Sequence, residues 1–212
     1  MKKVARLALV LTVALATLAI STACSKSSSA SQSGQRKITT ADAQQVLDFT
    51  ASLPARFERL NAAEEGMSRA DLGLTKEFSE VEVYLSEDPY DMIFAYYGII
   101  ETRLERASSD ALFKDDDQVE KMVIEGLRQG AAEEGVDLSD ATVNISHPAI
   151  GDLAVLGVGQ MSSFGINVGY DMLVFKVNKV YVFIMSVYLP GGSFPLLDLA
   201  AEVEKTVKTY SQ

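Results

Sequence analysis

The chain of 212 residues has one cysteine, one histidine, no tryptophan, and only 19 basic residues against 29 acidic ones. With one cysteine, no disulfide can form within the chain, and with one histidine the usual Cys and His ligands of a zinc site cannot be assembled. Binding nucleic acid or anionic lipid headgroups takes an excess of Lys and Arg, which this chain lacks. We therefore expect no metal, no cofactor and no nucleic-acid partner.

The N-terminus carries the features of an export signal. Lys2, Lys3 and Arg6 precede an apolar run over residues 7–20. As a helix, this run would rise about 21 Å at ~1.5 Å per residue, short of the ~30 Å hydrocarbon core of a bilayer. The pattern predicts a signal peptide rather than a transmembrane span.

The export signal ends in Ile-Ser-Thr-Ala-Cys, with the cysteine at Cys24. This resembles the lipobox of bacterial lipoproteins, although most of them carry Leu where this chain has Ser21. The resemblance implies that residues 1–23 are removed and that Cys24 becomes a lipidated N-terminus. The alternative is an ordinary signal peptide cleaved after Ala23, which would leave a free thiol. We favour lipidation because the chain has no other cysteine.

The domain boundaries follow from this assignment. Residues 1–23 are the predicted signal peptide, residues 24–38 the lipidated cysteine and a flexible Ser-rich tether, and residues 39–212 a single globular α+β domain. Of the 19 basic residues three leave with the signal peptide, so 16 remain against 29 acidic ones, a net charge of −13. We expect the mature protein to be lipid-anchored in the cell envelope, on the extracytoplasmic side of a bacterial membrane.

Hydrophobic periodicity predicts the secondary structure of the domain. Helices are expected from apolar residues at helical spacing around residues 43–50, after the aspartates Asp115, Asp116 and Asp117, and over residues 195–210. Residues 90–100 are almost continuously apolar and are expected to begin a further helix, capped by the preceding Asp-Pro pair, which ends exposed with the polar residues of 101–106. Strands are expected over 81–85, 142–146, 153–160, 168–177 and 180–189, whereas residues 55–60 fit either a strand or a helix.

The element order predicts an antiparallel sheet with helices on both faces, an α/β/α sandwich. The closing hairpin of residues 168–189 followed by a terminal helix resembles the PsbP/Mog1-like group, which includes actinobacterial lipoproteins. The members of that group bind proteins or serve as accessory subunits. The resemblance transfers no functional residue, but it implies a binding module.

Three groups of residues could serve catalysis or ligand binding, but each fits a structural role better. His147 with Ser162 or Ser163 could form a hydrolase site, but the surrounding residues lack the strained serine turn of hydrolases, which favours a locally bonded turn histidine. The three aspartates at 115–117 lack calcium-loop spacing and fit a helix N-terminus. Gly157 and Gly159 lack the third glycine of a dinucleotide loop and favour close packing within a strand.

An aromatic stripe recurs at helical spacing within residues 90–100. We expect these side chains to pack in a core against Phe175, Tyr181 and Phe183; the stripe consists of Tyr90, Phe94, Tyr97 and Ile100. The alternative is an incompletely filled core that accepts an apolar ligand. The sequence therefore favours a non-enzymatic protein-binding or scaffold module with an envelope protein as its partner, and the alternative function is a carrier of lipid or another apolar ligand.

The lipid anchor is tested by replacing the cysteine. Cys24→Ala should abolish incorporation of radioactive palmitate and release the protein from the membrane fraction, because an acyl chain contributes ~0.8 kcal/mol per buried methylene. Ser25→Ala is the matched control and should keep the label. A Cys24→Ala protein that remains in the membrane fraction would refute the lipobox assignment.

Overall fold

The structure is a computed structural model that describes residues 40–61, 78–87, 90–99, 103–133, 140–163, 166–190, 192 and 195–210. The predicted signal peptide, Cys24 and the tether lie outside the described residues. None of the helices in these ranges is long and apolar enough to cross a membrane.

Helices and strands alternate in blocks along the chain. The helices are α1 (Thr40–Leu47), α2 (Arg103–Leu112), α3 (Asp116–Glu133) and α4 (Leu196–Tyr210). The strands are β1 (Glu58–Leu60), β2 (Phe78–Glu87), β3 (Tyr90–Ile99), β4 (Thr142–Ser146), β5 (Leu153–Ser163), β6 (Ile166–Val177) and β7 (Val180–Tyr188). The predicted strand at 81–85, the four C-terminal strands, and the helices at α3 and α4 are confirmed.

The helix predicted from residue 90 is wrong over residues 90–99, which form strand β3, whereas its exposed end from Arg103 is helical as the start of α2. This strand is buried along almost its whole length and pairs with β2 on one side and β7 on the other. A fully buried strand has no polar face, so its continuous apolar run cannot be told from a buried helix by periodicity. The aromatic content of the segment was the better guide, since aromatic residues favour strands.

The seven strands form one sheet in the order β1-β2-β3-β7-β6-β5-β4, and every neighbouring pair is antiparallel. Residues 58–99 supply three consecutive strands and residues 142–188 supply four. The two sets join where β3 pairs with β7. The turn between β6 and β7 contains Asn178 at a φ of 57°, a left-handed conformation that Asn tolerates and that was expected there. The fold is α+β, an open antiparallel sheet with helices packed against it.

Two hydrophobic clusters cover the sheet. One joins Val119, Val123 and Leu127 of α3 to alternate strand residues such as Phe94 and Phe183. The other joins α1 and α4 to the intervening residues of the same strands, among them Tyr97 of β3 and Phe175 of β6. Because successive strand residues point to opposite faces, the two clusters lie on opposite faces of the sheet. We call the face of the sheet that carries the cluster with α3 the α3 face, and the face that carries the cluster with α1 and α4 the α4 face.

The division into faces corrects two expectations. The sequence places Phe175 and Phe183 in one core with the aromatic stripe, but only Phe175 lies in the cluster with Leu199 and Val203. Phe183 lies on the α3 face, where its ring meets that of Tyr96 edge-on at 5.6 Å between centroids. Within the predicted helix of residues 195–210, Leu197 is 40% exposed, and the predicted helix around residues 43–50 ends at Leu47.

Removing the side chain of Phe183 should destabilise the fold strongly. Phe183 is 1% exposed, and truncating a buried Phe costs about 3–5 kcal/mol, much of a total stability of ~5–15 kcal/mol. Phe183→Ala should therefore lower the unfolding midpoint in urea sharply. Glu202→Ala, at an exposed position on α4, should change the free energy of unfolding by no more than about 0.5 kcal/mol. Equal small effects would mean that β7 is not a central strand.

Candidate functional site

The predicted hydrolase residues do not meet. His147 follows β4, whose last residue Ser146 pairs with Leu156 of β5. Ser162 lies six residues further along β5, which is about 20 Å at ~3.3 Å per residue. The backbone N–H of Ser162 instead faces Oδ1 of Asp140 at 3.4 Å. The strand register thus separates the proposed base from both of its proposed nucleophiles, since Ser163 is further along the same strand.

His147 is bonded locally, as expected, and also to α3. Its Nδ1 lies 3.0 Å from the carbonyl oxygen of Ala154. Its Nε2 lies 2.7 Å from Oδ1 of Asp116 in the first turn of α3. Both ring nitrogens face acceptors, so the doubly protonated imidazolium satisfies both. The bond to Asp116 is the main reason that the pKa of His147 is raised above its usual value.

The three consecutive aspartates begin helix α3. Oδ1 of Asp115 accepts the backbone N–H of Gln118 at 3.1 Å, and the carbonyl oxygen of Asp115 accepts the N–H of Val119 at 2.9 Å. This is the geometry of a helix cap, which satisfies donors that the first turn leaves free. The expected role of these residues at a helix N-terminus is confirmed. Within the described ranges, no group of three His, Cys, Asp or Glu side chains could hold a metal ion.

Gly157 and Gly159 lie within strand β5, where close packing explains them. A Cβ atom on Gly159 would lie 2.2 Å from the carbonyl oxygen of Thr142 and 2.3 Å from Cζ of Tyr170. The hydroxyl of Tyr170 donates to that same carbonyl at 2.7 Å. The expectation of a close contact within a strand is therefore confirmed.

The aromatic stripe of the sequence is divided between the two faces of the sheet. Phe94 lies on the α3 face and Tyr97 on the α4 face, because β3 is a strand; Ile100 lies outside the described residues. Both side chains are packed in a core, as expected. A cavity remains between α3 and the sheet, bordered by Phe113, Met122 and Phe183, but its volume is about 10 Å³. That volume holds roughly one water molecule.

A larger concavity lies on the surface, where the α4 face of the sheet is open. Helix α1 contacts β2 and β3, and α4 contacts β6 and β7. Towards β4, the residues of the same face become exposed: Val158 of β5 is 40% exposed, and Asn144, which pairs with it, is exposed as well. The result is a groove of about 490 Å³ that runs across the last four strands in the sheet order, from β7 to β4. We call it the sheet groove.

The sheet groove is lined without charge. All 11 of its lining residues are uncharged, in a chain where 23% of residues are charged. Its polar side chains are amides and hydroxyls, contributed by Thr142, Asn144, Gln160, Asn167 and Tyr188. Such groups both donate and accept hydrogen bonds, so the groove suits a neutral, hydrogen-bonding surface.

Tyr188 forms one end of the groove and is held by β6. It pairs with Gly169, and a Cβ atom at that position would lie 2.2 Å from Cε2 of the Tyr188 ring. The hydroxyl of Tyr188 donates to Oδ1 of Asp171, two residues further along β6, at 3.1 Å. The ring therefore lies along β6, in space that only glycine leaves free. Burial and the neighbouring carboxylate raise the pKa of Tyr188 to about 12, so it stays protonated and donates.

A buried polar cluster adjoins Tyr188 on the same face. Ser186 donates to Oδ1 of Asp91 at 2.6 Å, and both residues are 0% exposed. Oδ2 of Asp91 accepts no hydrogen bond within the described residues, and Nη2 of Arg56 lies 3.9 Å from it. Burial raises the pKa of Asp91, although Ser186 and Arg56 oppose this. The cluster marks the limit of the apolar core beneath α1 and α4.

None of the groove residues was predicted from the sequence, although strand β6 carried a signal. Asn167, Gly169 and Asp171 alternate with the buried residues Val168 and Tyr170. Beyond them the strand is continuously buried over residues 172–175. The change from alternating to continuous burial indicates that only the first half of β6 has an open face.

The open antiparallel sheet with its packed helices defines this chain as an α+β protein. No family model matches the chain, and no curated protein matches it. Among solved structures it is distantly similar to LpqN, which is involved in cell envelope biogenesis of Mycobacterium tuberculosis. The identity is 14%, the TM-score is 0.39, and the match covers 72% of this chain and 78% of LpqN. The resemblance to the PsbP/Mog1-like group stays a prediction.

The bond between His147 and Asp116 can be tested by titration. Asp116→Asn should lower the pKa of His147 towards its usual value, because the amide cannot stabilise the imidazolium as a carboxylate does. Asp117→Asn is the matched control and should leave the pKa nearly unchanged. The measurement is the pH dependence of the His147 ring resonances in NMR spectra.

The sign of the accompanying stability effect follows from the raised pKa. The bond stabilises the fold fully below the pKa of an unfolded histidine, and this contribution disappears as the pH rises through the raised pKa. Because the pair is exposed, the contribution should stay below about 1 kcal/mol. A histidine pKa that is unaffected by Asp116→Asn would show that the bond does not form in solution.

Proposed function

We propose that this protein is a non-enzymatic binding module of the bacterial cell envelope. It is anchored through lipid at Cys24 on the extracytoplasmic side of the membrane and binds another envelope protein through the sheet groove. The anchor rests on the lipobox-like sequence, and the binding surface rests on the open half of the α4 face.

The observation that carries the proposal is the uncharged lining of the sheet groove. Charged residues make up 23% of the chain and are normally found on solvated surfaces, yet this solvated concavity is lined by amides, hydroxyls, glycines and other uncharged residues. Buried centres of protein interfaces are depleted in charged residues, because unpaired charges are costly to remove from water. Tyr188 adds an aromatic side chain of the kind that is enriched in such interfaces.

Binding at the surface is favoured over carriage of an apolar ligand. Pockets for small molecules usually measure ~300–1,000 Å³ and are mainly apolar. The cavity beneath α3 measures about 10 Å³, and the larger groove is open and rich in polar side chains.

Site-specific photocrosslinking in intact cells tests the proposal. A photoreactive amino acid at Asn144 or Gln160, both exposed in the groove, should crosslink the same partner protein. The same substitution at Glu202 or Lys205, exposed on α4, should not capture it. The adducts are identified by mass spectrometry, and yields at the two pairs of positions are compared.

Two results would contradict the proposal. Equal yields of the same adduct at the groove and on α4 would mean that the groove has no special role. If the protein without its lipid anchor retains one equivalent of bound lipid, and no protein is crosslinked from the groove, the role of lipid carrier would be favoured instead.

A further inference from the structure

The sheet has two edge strands in the described part of the chain, β1 and β4, and they differ in length and charge. Strand β1 has three residues, and its Arg59 forms ion pairs with Glu82 and Asp48. Strand β4 has five residues, Thr-Val-Asn-Ile-Ser, with neither charge nor proline. Natural sheets usually protect their edges with short strands, charges or proline. Edge β1 is protected in this way, whereas β4 is not.

Strand β4 is also held in place for pairing. All five of its residues pair with β5, from Thr142 opposite Gln160 to Ser146 opposite Leu156. Helix α3 contacts the strand, and Val143 is only 8% exposed. In an antiparallel pair, alternate residues turn their backbone N–H and C=O groups away from the neighbouring strand. A fixed strand therefore presents a preformed row of donors and acceptors.

The side chains of β4 connect this edge to the sheet groove. Thr142 and Asn144 line the groove, and they lie on the α4 face together with Ser146. A strand added beside β4 would place alternate side chains next to theirs, at the open end of the groove. The edge and the groove thus form one continuous surface without charge.

Carboxylates stand at both ends of β4. Asp140 is exposed two residues before the strand begins. Asp116 bonds to His147, which directly follows the strand, and its side chain is 57% exposed. Asp117 beside it is exposed as well. The imidazolium of His147 offsets the charge of Asp116, so the net negative charge at this end comes from Asp117. A segment that lies along β4 would therefore meet negative charge near its ends and neutral groups at its centre.

We propose that the partner protein supplies an extended segment that pairs with β4 as an eighth strand of the sheet. The segment is uncharged at its centre, where it faces Asn144, and basic at its ends, which lie near Asp140 and Asp117. This mode of recognition takes affinity from main-chain hydrogen bonds and selectivity from alternate side chains. The inference rests on the proposed function, because it names how the protein partner binds.

A synthetic peptide tests the inference on the purified full chain. The probe alternates threonine with valine and carries lysine at both ends. It should bind saturably, shift the NMR amide signals of residues 142–146, and slow hydrogen exchange at alternate amides of β4. The same peptide with alternate backbone amides methylated should bind at least tenfold more weakly, because it cannot complete the hydrogen bonds.

Charge variants test the ends of the segment. Replacing the two lysines of the probe with glutamate, or changing Asp140→Asn in the protein, should weaken binding severalfold at low salt. The control Glu202→Gln, on α4, should leave binding unchanged. The inference would be overturned if the unmodified peptide did not bind saturably to the full chain. It would also be overturned if the NMR shifts were centred outside β4 and the groove, or if the methylated peptide bound equally well.

The outcome separates the inference from the proposed function. If photocrosslinks form at Asn144 and Gln160 but the peptide does not bind to β4, the partner uses the groove without adding a strand, and the inference alone fails. If neither the crosslinks nor the peptide binding is observed, the proposed function fails with it.

Discussion

The pairing of β3 with β7 is the constraint on which the rest of the fold depends. It joins the three N-terminal strands to the four C-terminal ones, from Asp91 opposite Tyr188 to Ile99 opposite Val180. Both strands are buried on both faces over nearly their whole length. Two such strands can leave water only if helices cover each side of the sheet. Helix α3 supplies one cover, and α1 with α4 supplies the other.

The candidate site exists because α1 and α4 cover only part of the α4 face of the sheet. Where α1 and α4 no longer shield the α4 face, the strand residues change from apolar to polar. Asp91 and Ser186 bond to each other at this limit, and Tyr188 with Asp171 follows beside them. Beyond these residues, the face opens into the sheet groove. The polar side chains are therefore located by the extent of helix packing, and the same open end exposes the edge strand β4.

Much of the fold could be predicted from local patterns, but the candidate site could not. Strands β4 to β7 alternate or are rich in β-branched residues, and α3 begins at capping aspartates, so each carried its own local signal. Strand β3 did not, since continuous burial removes the periodicity that separates a strand from a helix. The residues that line the groove come from four strands. They lie side by side only because of the register in which β4 to β7 pair, and no local sequence pattern predicts that register.

The sequence by itself predicts the export signal with its candidate lipidation residue, and it determined the acidic charge, the lack of Cys and His ligands for a zinc site, and most elements of the domain. These properties depend on composition and on spacing within short segments. Only the tertiary structure decided that residues 90–99 are a strand, that Phe175 and Phe183 face opposite ways, and that His147 and Ser162 lie far apart. Each of these depends on which strands pair and in what register, and pairing is set by the joint burial of residues distant in the chain.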